Sequence, residues 1–151
     1  MSAHLCGDLQ IDPGAFPCAG AGQSLEIVVP LTEWEVTRAV LCRLPVLTAG
    51  LDAHVKLVAV HTVPYQTDFY CPALVHARLV QQVIDLASGC DLPVEPEVVL
   101  SRSREEGWRH ALTEHSTLLV GSRRHWWRTQ EESLARSLAR EGYRVALLHI
   151  A

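Results

Sequence analysis

No apolar run of about 18 residues occurs in the chain, no CxxC pair, and no surplus of positive charge. Each absence removes a class of function. Without such a run the chain does not span a membrane by itself. The five cysteines, Cys6, Cys18, Cys42, Cys71 and Cys90, are odd in number and scattered. They offer neither a zinc cluster nor a framework of bridges, and they read as small apolar fillers or loop residues in a reducing, cytoplasmic setting. The 13 basic and 17 acidic residues leave a net charge of −4, the opposite of the electrostatic footprint of a nucleic-acid binder, so no nucleic-acid partner is expected. The beginning of the chain has no basic segment followed by a continuous apolar one, so it does not read as a secretory signal.

Catalytic patterns are missing as well. Of His54, His61, His76, His110, His115, His125 and His149, only His110 and His115 lie close in sequence, at an offset of five that does not share a helix face as four does. No metal site is expected. Glu33 and Glu35 read as charges at the start of a helix rather than as an acid and base pair. The chain is therefore expected not to be an enzyme.

What is present is a full core's worth of apolar residues, 48% of the chain, in the length of one ordinary domain. Residues 1–24 read as a flexible arm, because Gly, Ala and Pro dominate Pro13 to Gly22 and leave little to bury. The folded domain is expected over residues 25–151.

From Leu25 onward short β-branched runs alternate with stretches at helical spacing. "LEIVVP" predicts a buried strand, and "TEWE" a capping box with Thr32 as N-cap and Glu35 reaching back. Val36, Val40, Leu44 and Leu47 fall on one face of the helix that follows. Pro45 should kink or break it, and Gly50 supplies a stop. "VKLVAVHTV" predicts a second strand covered on both faces. "PYQTDFYCP" is a loop whose aromatics are placed to line a cleft. A helix over Ala73 to Ser88 is expected to turn Ala77, Val80, Ile84 and Ala87 inward, with Gly89 as its cap. "VEPEVVL" predicts a third strand at a sheet edge, because Pro96 cannot donate to a ladder. "SREE" opens a short helix carrying Trp108, Ala111, Leu112 and His115 along one side. "STLLVG" is the fourth strand, "TQEE" from Thr129 caps a last helix that Gly142 ends, and "YRVALLHI" is the fifth strand.

Strand and helix alternate without a hairpin signal, which selects an α/β fold: a doubly wound five-stranded parallel sheet with helices on both faces. Ligands of such sheets sit beyond the carboxyl ends of the strands where the strand order switches, which directs attention to Thr32, to His61 and to the segment after Gly121. His61 has two readings, a packed strand-end histidine or a ligand contact.

Over roughly Leu25 to Ile150 the chain resembles the universal stress protein family. The likeness rests on the order of elements, on "IVVP" and "LVAVHTV" as first and second strands, and on "LLVG" leading into a helix whose "SLARSLA" is similar to the family's "GSVA…V" turn. The segment "RHWW", followed by a helix and a final strand, also resembles the end of cytoplasmic tails of some amino-acid permeases. The family likeness implies strand order 3-2-1-4-5, frequent homodimers, and two groups of members, of which one binds ATP.

The family's ATP signature departs here at each position. An acidic residue two places after the first-strand proline is replaced by Thr32. In the phosphate loop G-x2-G-x9-G-[ST], Gly121 matches the first glycine, Arg124 stands at the second, and Leu134 and Ala135 stand at the final pair. Sliding the match to use Ser133 puts Glu132 in place of glycine. Glu131 and Glu132 offset the field of the helix start and repel a triphosphate. Against them, Arg123, Arg124, His125 and Arg128 place up to four cations in the same segment, with Trp126 and Trp127 available to stack. The segment therefore has two readings, an anion contact or a solvated basic loop with a tryptophan tucked into the core.

The expected function is a non-catalytic regulatory or binding module with a degenerate ATP cleft and no cofactor, acting by dimerisation or through a protein or transporter partner. The alternative is a sensor that binds ATP, AMP or another phosphate through Arg123 to Arg128. Thr32, His61, Gly121, Arg123, Arg124, His125 and Ser133 are the ligand-contact residues of that site. A homodimer is expected to form partly through "RVALLHI", an apolar strand at a sheet edge.

Overall fold

A computed structural model describes residues 24–65, 73–123 and 130–150. Five strands alternate with four helices among these residues: β1 (Leu25–Pro30), α1 (Trp34–Leu47), β2 (Ala53–Thr62), α2 (Ala73–Ser88), β3 (Val94–Ser101), α3 (Arg104–Ala111), β4 (Ser116–Arg123), α4 (Gln130–Arg140) and β5 (Arg144–Ile150). All strand pairs are parallel, in the order β3-β2-β1-β4-β5. The doubly wound α/β fold read from the alternation of elements is the fold observed. Parallel neighbours need a covering crossover, and each helix supplies one.

Alternation along β1 divides the core. Ile27 and Val29 pack with α1, α2 and the outer strands, in a layer that includes Val40, Leu44, Val83, Leu86 and Leu148. Val28 points the other way, into a layer of Trp108 and Ala111 from α3, Leu112 just after it, and Leu134, Ala135 and Leu138 from α4. Both faces of β1 are thus dry, which is why its run is continuously apolar rather than alternating. Each such side chain removed from water is worth about 1.5–3 kcal/mol.

The edge position read from Pro96 holds, since β3 ends the sheet and Pro96 stands opposite Leu57 of β2. Ser103 caps α3 as expected, its Oγ accepting the Glu106 N–H at 3.2 Å. Gly142 follows α4 with φ +96°, and Gly50 turns the chain with φ +78° after α1.

Four local expectations are corrected. Glu33, not Thr32, is the N-cap of α1, and it makes no side-chain cap bond. The Thr32 N–H instead donates to Thr37 Oγ1 at 3.1 Å. Pro45 neither breaks nor ends α1, which runs on to Leu47. It falls in the last turn, where only one intrahelical bond is forgone and Thr48 closes the end by donating its N–H and its Oγ1 to the Leu44 carbonyl. His115 lies beyond the end of α3 and is exposed. In α2 the buried residues are Val83 and Leu86, whereas Ala77 and Ile84 are exposed and Val80 and Ala87 half-buried. That helix carries two apolar stripes, and the sheet took the other one. Gly89 follows α2 directly, in the cap position expected of it, and its N–H bonds the Asp85 and Leu86 carbonyls at 3.3 Å. The cap expected at Thr129 lies outside the described residues.

Candidate functional site at the carboxyl ends of the central strands

The strand order reverses between β1 and β4, and there the sheet is notched. β1 stops at Pro30, opposite Val58 of β2, so Ala59 to Thr62 extend past it on one side. On the other side Leu118 of β4 is opposite Val28, so Val120 comes level with Pro30 and Gly121 to Arg123 extend beyond. The floor of the notch is the turn from Pro30 into α1. It is held by the Leu31 N–H bonding the Val58 carbonyl at 2.8 Å and by the Thr32–Thr37 hydrogen bond. This is the crevice in which doubly wound sheets bind ligands. Thr32, His61, Gly121 and Arg123 all stand on its rim.

Arg123 does not face open space. Its Nη1 lies 3.3 Å from Glu33 Oε1, so an ion pair from the end of β4 to the start of α1 crosses the notch. Both groups are substantially exposed, at 40% and 55%, and such pairs contribute only about 0–1 kcal/mol. The pair neutralises the cation more than it holds the fold.

Gly121 does not end its strand. β4 continues through Ser122 and Arg123, and the φ of Gly121 is not positive. The strand thus runs past the end that "STLLVG" marks, and the glycine is needed because α1 lies against it. A Cβ at this position would stand 2.5 Å from Val40 Cγ2 and 2.7 Å from Val36 Cγ1, with Ile150 Cδ1 at 3.3 Å. Close approach of helix and strand, rather than phosphate access, accounts for the residue.

The next residue joins β4 to α4. Ser122, 1% exposed, donates its hydroxyl to Glu132 Oε1 at 3.1 Å. Glu132 is the third residue of α4, so a carboxylate from the first turn of the helix returns to the end of the central strand. Leu134 and Ala135 are each 7% exposed and belong to the core between α4 and the sheet. They cannot line a ligand site. Ser133 is exposed and lies on a shallow groove between α3 and α4, shared with Arg104 and Trp108, rather than on the notch. Arg124 and His125 lie outside the described residues.

His61 stands on β2 opposite Leu100, half-buried. Sequence reasoning missed Arg102. Its guanidinium donates to the carbonyls of Val63 and Pro64 and lies 5.6 Å from the centre of the Tyr65 ring, so it fastens the chain leaving β2. An isolated arginine after an edge strand carries no sequence signal for that role. Glu33 carries the sequence signal only of a helix-start charge, and its pairing with Arg123 joins positions that are distant in sequence.

Among the described residues, no three His, Cys, Asp or Glu side chains gather as a metal site, and no helix is long and apolar enough to cross a membrane. No family model matches the chain, and a comparison with curated proteins returns no relative.

Proposed function

We propose that the chain is a non-catalytic regulatory or binding module of universal-stress type, with a degenerate ATP cleft, that acts through dimerisation or a protein partner. The observation that carries this reading is the hydrogen bond from Ser122 to Glu132. A phosphate-binding helix start needs free N–H groups and an uncompensated positive field. Here a carboxylate sits at that start and is tied to the strand end where phosphates would lie. The register that uses Leu134 and Ala135 as the glycine–hydroxyl pair would require buried core residues to touch a ligand. The register that uses Ser133 puts Glu132 in the glycine's place.

Charge supports the same conclusion. At about 6 Å and an effective dielectric near 20, one carboxylate against one phosphate charge costs on the order of 2–3 kcal/mol before screening. Arg123 is engaged with Glu33 and would have to leave it to offset that cost. Among the described residues at the notch, no set supports a catalytic role. The outer edge of β5, which has no partner strand within the described chain, is the surface through which a dimer of this type would pair.

Titration calorimetry with Mg·ATP tests the reading. The expected dissociation constant is no better than roughly 0.1 mM, about −5.5 kcal/mol. Micromolar binding, or adenine nucleotide found by mass spectrometry in the denatured supernatant of the purified protein, would overturn it in favour of a nucleotide or phosphate sensor built on Arg123 to Arg128.

A further inference from the structure

β3 closes the sheet on the side away from β5, and its outer edge changes character halfway along. The Ser101 carbonyl accepts the Val63 N–H at 2.8 Å, so the backbone groups of Ser101 face β2. Backbone direction alternates along a strand. Those of Val99 and Glu97 therefore face β2 as well, while those of Pro96, Val98 and Leu100 point out of the sheet.

Pro96 stands at an outward position, where it has no N–H to leave bare. With Glu95 and Glu97 on either side it guards the first half of the edge, as proline and charge do where a sheet must not recruit a copy of itself. The second half has no such guard. Val98 and Leu100 present two N–H groups and two carbonyls, none of them bonded among the described residues.

The unguarded half is also the half with a groove on the α3 face. The edge from Glu97 to Arg102 and the Glu106 and His110 side of α3 flank a space of about 360 Å³. α3 comes this close because Gly107 lies on Val60 and Ser101, where a Cβ would overlap both. Val99 and Ser101 turn their side chains toward α3, and by alternation so does Glu97. The groove beside α2, lined by Ile84, Cys90, Leu92 and Pro96, opens on the other face of the sheet along the guarded half.

Charge decides what fits. Glu97 and Glu106 bring carboxylates to the groove, and neither is in an ion pair among the described residues. Arg102, at the end of the groove, already donates to the Val63 and Pro64 carbonyls. A second copy of this chain does not suit the edge. Antiparallel pairing of β3 with itself keeps both α3 helices on one face and brings the Glu97 and Glu106 of both copies to one seam, where like charges oppose pairing. Residues 1–24 hold no lysine or arginine, so that segment supplies no counter-charge either.

We propose that the Val98–Leu100 edge receives an extended segment of a partner protein as a sixth strand, with lysine or arginine at alternate positions. Main-chain hydrogen bonds to Val98 and Leu100 hold the segment, and strand alternation sends its cations into the groove toward Glu97 and Glu106. This gives a chemistry to the protein partner proposed above. It lies two strands from β1, so it stands or falls apart from the nucleotide cleft.

The probe is the peptide Lys-Val-Lys-Val-Lys-Val-Lys, blocked at both ends and titrated into the isotopically labelled full chain. It is expected to shift the Val98 and Leu100 amide resonances saturably, and Lys-Lys-Lys-Lys-Val-Val-Val, equal in charge, to bind several-fold more weakly. Two further versions carry N-methyl groups on every valine or on every lysine. One set points at β3 and is expected to lose about tenfold in affinity, whereas the other points outward and keeps it. Glu97→Gln combined with Glu106→Gln, both on the surface, should weaken the parent peptide about fivefold. Binding that ignores both methyl sets, shifts confined to residues away from β3, or equal affinity for the two sequences would overturn the proposal. So would sedimentation of the chain alone showing an assembly that Val98→Pro halves, since that would seat a second copy on this edge.

Discussion

The hydroxyl of Ser122 and the carboxylate of Glu132, 3.1 Å apart, connect the end of the central strand β4 to the first turn of α4. In a sheet of this order that junction is where an anion would meet a helix start, and the protein fills it with its own negative charge. Replacing Glu132 therefore tests the cleft directly. Glu132→Gln removes the charge while keeping helix propensity; Glu132→Gly also frees the backbone at a cost of about 1 kcal/mol in helix stability. Both are expected to strengthen Mg·ATP binding, by about tenfold if screening leaves about half of the Coulomb penalty. Calorimetry on the two variants checks this; weaker binding in both would place any ligand away from the junction.

Gly121 makes a second prediction through packing. Its missing side chain leaves room for Val36 and Val40 of α1, and a Cβ there would overlap both. Neither neighbour is a flexible chain end, since both are β-branched and buried in the core. Gly121→Val is expected to cost about 1–3 kcal/mol by overpacking, and Gly121→Ala a smaller part of that. Chemical denaturation measures it. A Gly121→Val protein as stable as the parent would mean that α1 can move off the sheet freely.

Thr37 offers a third test. It is 1% exposed, and its Oγ1 accepts the Thr32 N–H that no capping box satisfies. Thr37→Val keeps the shape and removes the acceptor, leaving that N–H unpaired at the floor of the notch. The expected loss is about 1–3 kcal/mol, more than for Thr32→Val, whose side chain only shares a 3.4 Å contact with Thr37. Equal losses at the two positions would contradict this account of the α1 start.

The order of elements was legible because each strand's burial and each helix's covering role write themselves into local patterns: "IVVP" is apolar on both faces, and Pro96 marks an edge. What could not be read was relational. α2 has two apolar stripes, and periodicity cannot say which one a sheet edge will take; the sheet takes Val83 and Leu86 and leaves Ala77 and Ile84 exposed. Gly121 looks like a turn because a glycine after an apolar run usually is one; the reason for it lies in Val36 and Val40, some eighty residues earlier. The site divides along the same line. The missing glycines and the acidic helix start were visible in the sequence, whereas the closure of Glu132 on Ser122 and of Arg123 on Glu33 needed the fold.

Cys90 gives a prediction in pH. Burial pushes its thiol above the ordinary thiol range, with the neighbouring Cys42 and Asp91 adding to the shift. The S–H also donates to the Leu86 carbonyl at 3.2 Å, which only the protonated form can do. A thiol whose folded pKa is raised contributes stability that is complete below the unfolded value and is lost as pH rises through the folded one. Folding stability should therefore decline on the alkaline side of the ordinary thiol range. The same shift is read more directly by alkylation with iodoacetamide, since only the thiolate reacts. Mass spectrometry resolves the rate at Cys90 from those of the other cysteines across the alkaline range. Steric cover lowers the plateau of that profile but leaves its midpoint in place, so the midpoint reports the ionisation alone. It is expected to lie above the midpoint for the same residue in the denatured chain. A folded midpoint at or below the denatured one would mean that the groove beside α2 does not shield Cys90 from solvent.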